Sequence, residues 1–135
     1  MSGSSIRYLN TDLELASPDD LSALAAALEA PAVVPLHLTR QADGLWYAAF
    51  ETAEQHGEPE PNIAAMLAVV ETLAEPLRAV WAGCVRREFD IAYDCGGGPG
   101  PFEHGLSSHL LARIAAAGAS LRLTLYPPES TRGPG

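Results

Sequence analysis

The sequence predicts an α+β domain with a mainly antiparallel sheet and helices on one face. Three observations predict it. The stretches around residues 9–15, 85–93 and 121–125 alternate apolar and polar side chains, the period of strands with one buried face. Segments 63–73 and 110–114 instead space their apolar residues as one face of a helix. Between two strand-like runs stands Asp43-Gly44, a dipeptide that supplies the positive φ of a tight hairpin turn.

Taken in order, the first strand sets Leu9, Thr11, Leu13 and Leu15 against Asn10, Asp12 and Glu14. Ser17 then reads as an N-cap, with Pro18 at the first helical position and Asp19 and Asp20 in the first turn. Leu21, Leu24 and Leu28 share a face of that helix, and Pro31 ends it. Val34, Leu36 and Leu38 predict a second strand with these side chains inward. The hairpin turn leads to a third strand over 45–52. Residues 53–61 are polar and Pro-rich, hence an exposed connection. Asn62 is expected to cap a helix carrying Ile63, Met66, Leu67, Val70 and Leu73. Pro76 should kink or break it, and a short piece ends at Gly83.

The fourth strand sets Val85, Phe89, Ile91 and Tyr93 against Arg86, Glu88, Asp90 and Asp94, which leaves Arg87 on the apolar side without an evident partner. A third helix carries Leu110, Leu111 and Ile114 inward, with Gly118 as its C-cap. The last strand is expected to point Leu121, Leu123 and Leu125 inward. The order is β-α-β-β-α-β, then α-β. Its first six elements match the ferredoxin-like split βαβ plan, and the C-terminal α-β pair extends it. One domain is expected over 5–126, with flexible tails at 1–4 and 127–135.

The formal net charge is −9, with eight Arg and no Lys. Nucleic-acid binders neutralise phosphates with clustered basic residues, and no such cluster occurs, so no nucleic-acid partner is expected. Neither an apolar signal core nor a run of membrane-spanning length is present, so no membrane association and a cytoplasmic location are expected. From Gln41 to Leu77 stand seven acids and neither Arg nor Lys. Such a segment attracts a basic protein partner. Trp46, Tyr47, Glu51, Glu54, Glu58 and Glu60 are the candidate contact residues for it. The simpler reading is a solvated face that keeps the protein soluble.

The stretch DCGGGPGPFEHGLSSH, residues 94–109, invites three chemical readings. Gly100 and Gly105 have the spacing of a phosphate-binding loop, but Leu106 stands where the loop needs Lys, and Glu103 repels phosphate. Cys84, Cys95, His104 and His109 form a zinc set in composition only. A strand between the cysteines separates them by on the order of 36 Å, too far to share a metal or a disulfide. Cys95, His104 and His109 remain the metal alternative. No nucleophile elbow is present, and Ser107 or Ser108 more simply caps the third helix. The plain reading is a connection stiffened by Pro99 and Pro101, with no cofactor and no catalytic residue assigned.

A second constellation comes from the sheet. Its uncovered face should collect Asp12, Glu14, His37, Arg86, Glu88, Asp90 and Arg122, together with Asn10, Thr39, Thr124 and Tyr126, and with Trp46 or Tyr47. Such a face offers carboxylates for acid–base or ligand chemistry in a small enzyme or binding protein. Equally, it is what a solvent-facing antiparallel sheet with cross-strand ion pairs looks like.

The early strand followed by SPDDLSALAAAL, the Trp in GLWYAAFE, the NIAAMLAVVETL helix and the closing LSSHLLARIAAAGASLRLTLY resemble a small bacterial family known as a domain of unknown function. The resemblance covers residues 5–126 and departs at Thr124, where the pattern carries an acid. Some members resemble immunity proteins of bacterial toxin systems. The resemblance therefore implies an acidic module that binds a basic protein, and it assigns no site residue. A chain of this length builds its own core. Its melting temperature is accordingly expected to be the same with and without reductant or chelator, and a fall of many degrees with either would reveal a disulfide or a bound metal.

Overall fold

Strand β1 (Arg7–Ser17) occupies the centre of a five-stranded sheet because its alternation suits both faces, apolar on one side and polar on the other. The structure is a computed structural model, and it describes residues 6–96, 98 and 100–127. After β1 come α1 (Ser22–Leu28), β2 (Val33–Arg40), β3 (Trp46–Thr52), α2 (Pro59–Val70), α3 (Leu77–Ala82), β4 (Arg86–Asp94), α4 (Ser108–Ala116) and β5 (Ser120–Tyr126). The strand order is β2-β3-β1-β4-β5, antiparallel throughout except for the parallel β4–β5 pair. The α+β class and the open, mainly antiparallel sheet are as the sequence predicts. Of the expected tails at 1–4 and 127–135, all but Pro127 lie outside the described residues, as do Ser5 and, in the glycine-rich connection, Gly97 and Pro99.

One face of the sheet is buried. Leu13, Leu15, Ala48, Phe50, Phe89 and Ile91 meet Leu24 and Leu28 of α1, Ile63, Met66 and Leu67 of α2, Trp81 of α3, and Leu110 and Ile114 of α4. Phe50 and Phe89 are fully buried, on the two strands that flank β1. Ser107 caps α4 as expected, its Oγ accepting from the Leu110 amide at 3.1 Å. Gly118 follows α4 with φ +71°, a conformation that L side chains rarely adopt.

Several details differ from the sequence reading, each for a local reason. A register shift between Tyr8 and Asn10 sends Leu9 outward and brings Tyr8 toward the core, opposite Tyr93. In β2 a shift between Pro35 and His37 takes Leu36 out of the pairing and leaves it exposed; Leu38 opposes Ala48 on the helix side but stays exposed at the edge of the sheet, and Val33 is the buried residue. Ser17 belongs to β1, and its hydroxyl accepts from the Asp19 amide in the turn before α1. Val85 precedes β4 and is exposed, as is Leu111 on the outer side of α4. The leucines of β5 lie on the helix side of the sheet yet remain exposed, because α4 packs on α2 and leaves the edge strand uncovered.

Two polar side chains hold this arrangement together. Asn62 is fully buried three residues inside α2, where it caps nothing. Its Oδ1 accepts from Thr52 Oγ1 (3.2 Å) and the His56 amide (3.1 Å), and its Nδ2 donates to Tyr8 Oη (2.7 Å). It therefore ties α2, β1, β3 and the β3–α2 connection at one point. Arg87, the misfit of β4, donates to the carbonyls of Trp81 (3.1 Å), Ala82 (3.2 Å), Cys84 (2.6 Å) and Gly118 (2.9 Å). These carbonyls lie at and just beyond the ends of α3 and α4, where a guanidinium satisfies acceptors that the helices leave. Nearby, the Trp81 indole donates to the Ala117 carbonyl at 2.8 Å.

Asn62→Ala leaves buried polar partners unsatisfied, so it should cost about 1–3 kcal/mol. Arg87→Met keeps the stem but removes the bonds to both helix ends, and a loss of about 2 kcal/mol is expected. Urea unfolding checks both. A loss of under about 0.5 kcal/mol for either variant, the range of an ordinary surface change, would contradict its role.

Candidate functional site

The uncovered face of the sheet is built by the same pairings that build the core. Because Leu13 opposes Phe89, Asp12 opposes Asp90 and Glu14 opposes Glu88 across β1 and β4. Like charges directly opposite on neighbouring strands repel. The face therefore carries two such carboxylate pairs, two residues apart along the strands.

The pairs are treated differently. Arg86 reaches across the Glu14–Glu88 pair, its Nη2 lying 2.8 Å from Glu14 Oε1 and 2.8 Å from Glu88 Oε1. Arg122 of β5 adds a further bond to Glu88 Oε1 at 2.8 Å. Burial alone would raise the Glu88 pKa, but the bonds from Arg122 and Arg86 outweigh it and hold the carboxyl below its ordinary value. Two arginines thus balance two glutamates.

The Asp12–Asp90 pair has no such clamp. Among the described residues no ion pair reaches Asp12, Asp90 or the neighbouring Glu51 of β3. Among the described residues Asp12 accepts from Asn10 Nδ2 at 3.2 Å, and Asp90 from the Thr124 hydroxyl at 2.6 Å. Desolvation, followed by the charges of Glu51, Glu14 and Asp90, pushes the Asp12 pKa up from 3.8 to about 6. These acids line an open concavity of about 730 Å³ that also includes Leu9, Gln55, Ala92 and Tyr126. The small Ala92 leaves room in its floor, and the bulge that turns Leu9 outward supplies an apolar wall.

The residues predicted to bind a partner divide between this face and other duties. Trp46 opposes Ser17 on the helix side of the sheet, where it is half-buried against the core. Tyr47 opposes Ala16 on the uncovered face, and its hydroxyl donates to Asp43. Glu51 shares that face near Asp12, and Glu54 and Glu58 are exposed in the β3–α2 connection. Glu60 has a structural task, because its two oxygens accept from the amide and hydroxyl of Ser107 at 2.7 Å each. Those bonds lower its pKa. Glu71 pairs in the same way with Arg113 at 2.8 Å. Of the sheet-face set, Asp12, Glu14, Arg86, Glu88, Asp90 and Arg122 come together, while His37 lies farther out on β2 opposite Ala49.

Cys95, His104 and His109 are not assembled. The Cys95 amide closes the β4–β5 ladder on the Tyr126 carbonyl. His104 Nδ1 lies 3.1 Å from Tyr93 Oη in an aromatic cluster with Tyr8 and Phe102. His109 sits near Glu60 and Glu71. Cys84 is buried beyond the other end of β4, where burial raises its thiol pKa. Among the described residues no three His, Cys, Asp or Glu side chains form a metal-binding group. No helix among them is long and apolar enough to cross a membrane. A second concavity, about 690 Å³, lies at the ends of α3 and α4; of its three arginines, Arg87 and Arg113 are committed to helix carbonyls and Glu71, and Arg78 lines it as well. Comparison with protein-family models, curated proteins and solved structures finds no match for this chain.

A carboxyl whose pKa is raised in the folded state destabilises the fold once it ionises. For Asp12 this penalty is absent below about pH 4, grows up to about pH 6 and is constant above. Asp12→Asn should therefore raise stability at pH 7.5 by roughly 1–2 kcal/mol, less than the full displacement implies because water reaches the site. The gain should vanish near pH 4. Thermal melts across this range check it, and a variant less stable at pH 7.5 would overturn the assignment.

Proposed function

We propose that the protein is a small binding module whose contact surface is the uncovered sheet face around Asp12, Glu51 and Asp90. Its partner is a basic protein that presents an Arg or Lys side chain to this surface. One observation carries the reading. The face holds two opposed carboxylate pairs of the same geometry, and among the described residues a guanidinium fills only one of them. A partner's arginine at Asp12–Asp90 would reproduce what Arg86 does at Glu14–Glu88, with charge-assisted bonds in place of repulsion. Tyr47 and Tyr126 border the carboxylates and offer aromatic surface to the same partner.

This reading joins the two candidate sets of the sequence. Glu51 belongs to both, and the more distant Glu54 and Glu58 extend the negative field that steers a basic partner. The resemblance to immunity proteins supports the same class of partner. The strand order, with its β-α-β-β-α-β start, supports a ferredoxin-like split βαβ core with α4 and β5 as the extension. A rigid sheet of this kind keeps the carboxylates in place before binding, which lowers the entropic cost of association.

A short arginine-rich peptide serves as the probe, followed by calorimetry and by NMR shifts. Binding should perturb β1 and β4 and weaken steeply as salt rises. Asp12→Asn with Asp90→Asn should cost about tenfold or more, while Glu54→Gln with Glu58→Gln should change affinity much less. Affinity should fall from pH 7 to pH 5 as Asp12 takes up its proton. Binding that ignores the aspartates, or that strengthens at pH 5, would contradict the proposal.

A further inference from the structure

The two edges of the sheet differ in how they meet solvent. Edge strand β2 contains Pro35 and a register shift, and both features discourage pairing with another strand. Edge strand β5, Ser120–Tyr126, has neither: it pairs with β4 in unbroken register over its whole length. Its outer backbone groups can be placed. The Tyr126 carbonyl accepts from the Cys95 amide at 2.8 Å. In a parallel ladder each residue turns its amide and carbonyl to the same side, and successive residues alternate. Ser120, Arg122, Thr124 and Tyr126 therefore bond toward β4. Leu121, Leu123 and Leu125 turn both backbone groups outward.

The same three residues expose their side chains on the helix side of the sheet. Leu121 is 38% exposed, Leu123 65% and Leu125 62%. The segment after β5 is PPESTRGPG, and the one before Ile6 is MSGSS, with a single Met as its only large apolar residue. Uncovered leucine rows beside free backbone groups are a template for strand addition.

We infer that β5 pairs antiparallel with β5 of a second copy, about a two-fold axis at Leu123. The strand is self-complementary in that register. Leu123 opposes its own mate, and Leu121 opposes Leu125. All three are hydrogen-bonded pairs, because their amides and carbonyls face the seam. Their side chains then form one apolar ladder across the joint. On the other face Arg122 opposes Thr124 of the second copy, so the two arginines do not confront each other, and each is already neutralised by Glu88. A two-fold contact of this kind is closed, and the blunted β2 edges prevent growth into a filament. The leucine row lies on the opposite side of the sheet from Asp12, so this inference and the cation-binding reading stand or fall separately.

Sedimentation over a wide concentration range tests it. The chain should reach twice its 14.2 kDa mass. Leu123→Lys places a charge on the exposed ladder and should be folded but monomeric, with a melting temperature that no longer depends on protein concentration. Leu123→Pro removes an outward amide that the monomer does not use, and it should be monomeric as well. Amide exchange at Leu121, Leu123 and Leu125 should be slow in the dimer and fast in Leu123→Lys. A chain that stays monomeric at the highest concentration overturns the inference. So does a dimer that survives both substitutions, or one whose β5 amides exchange freely.

Discussion

The register between β1 and β4 is the constraint on which the rest depends. Hydrophobic burial selects it, because only this alignment places Leu13 opposite Phe89 with both side chains in the core. A strand has two faces and a single register, so the same choice fixes the outside. There it sets carboxylate against carboxylate twice. The core contributes enough to tolerate that repulsion, and Arg86 relieves one of the two pairs. The other remains as a local charge excess at the centre of a rigid sheet. In the proposed reading, relief of that repulsion is what would give a cation differential affinity for the site.

Much of the architecture was legible in the sequence, because period-two and period-3.6 patterns report burial directly. β1, α2, β4 and α4 carry Leu13 and Leu15, Ile63 and Met66, Phe89 and Ile91, Leu110 and Ile114 inward, as their spacing predicts. The two edge strands were harder to read. Alternation in β2 is broken by a bulge just after Pro35, which takes Leu36 out of the ladder, and the buried side chain is Val33. In β5 the alternation is intact, but alternation shows which side chains share a face and not whether a helix lies over it. The leucines of β5 share the helix side and stay exposed.

The same limit applies to polar residues. Arg87 looked misplaced because its partners are main-chain carbonyls at the ends of α3 and α4, which exist as acceptors only after both helices have formed. Asn62 looked like a cap because it stands just before the apolar run from Ile63, yet α2 begins at Pro59 and encloses it. The acidic segment was visible as composition, but its members proved to have separate tasks. Glu60 and Glu71 hold α4 against α2, whereas Glu51 joins Asp12 and Asp90. The sheet-face set was traceable from strand alternation alone. The contrast between its clamped and unclamped pairs required the register and the reach of Arg86.

That contrast is open to direct observation through the carboxyl carbon of Asp12, followed by NMR as pH is varied, with and without an arginine-rich peptide. The account predicts a midpoint near 6 in the free protein, set by burial and by Glu51, Glu14 and Asp90. It also predicts a clear downward shift when the peptide is bound, because a guanidinium beside Asp12 favours its ionised form. A midpoint at the ordinary carboxylate value in the free protein, or one that the peptide leaves in place, would contradict it.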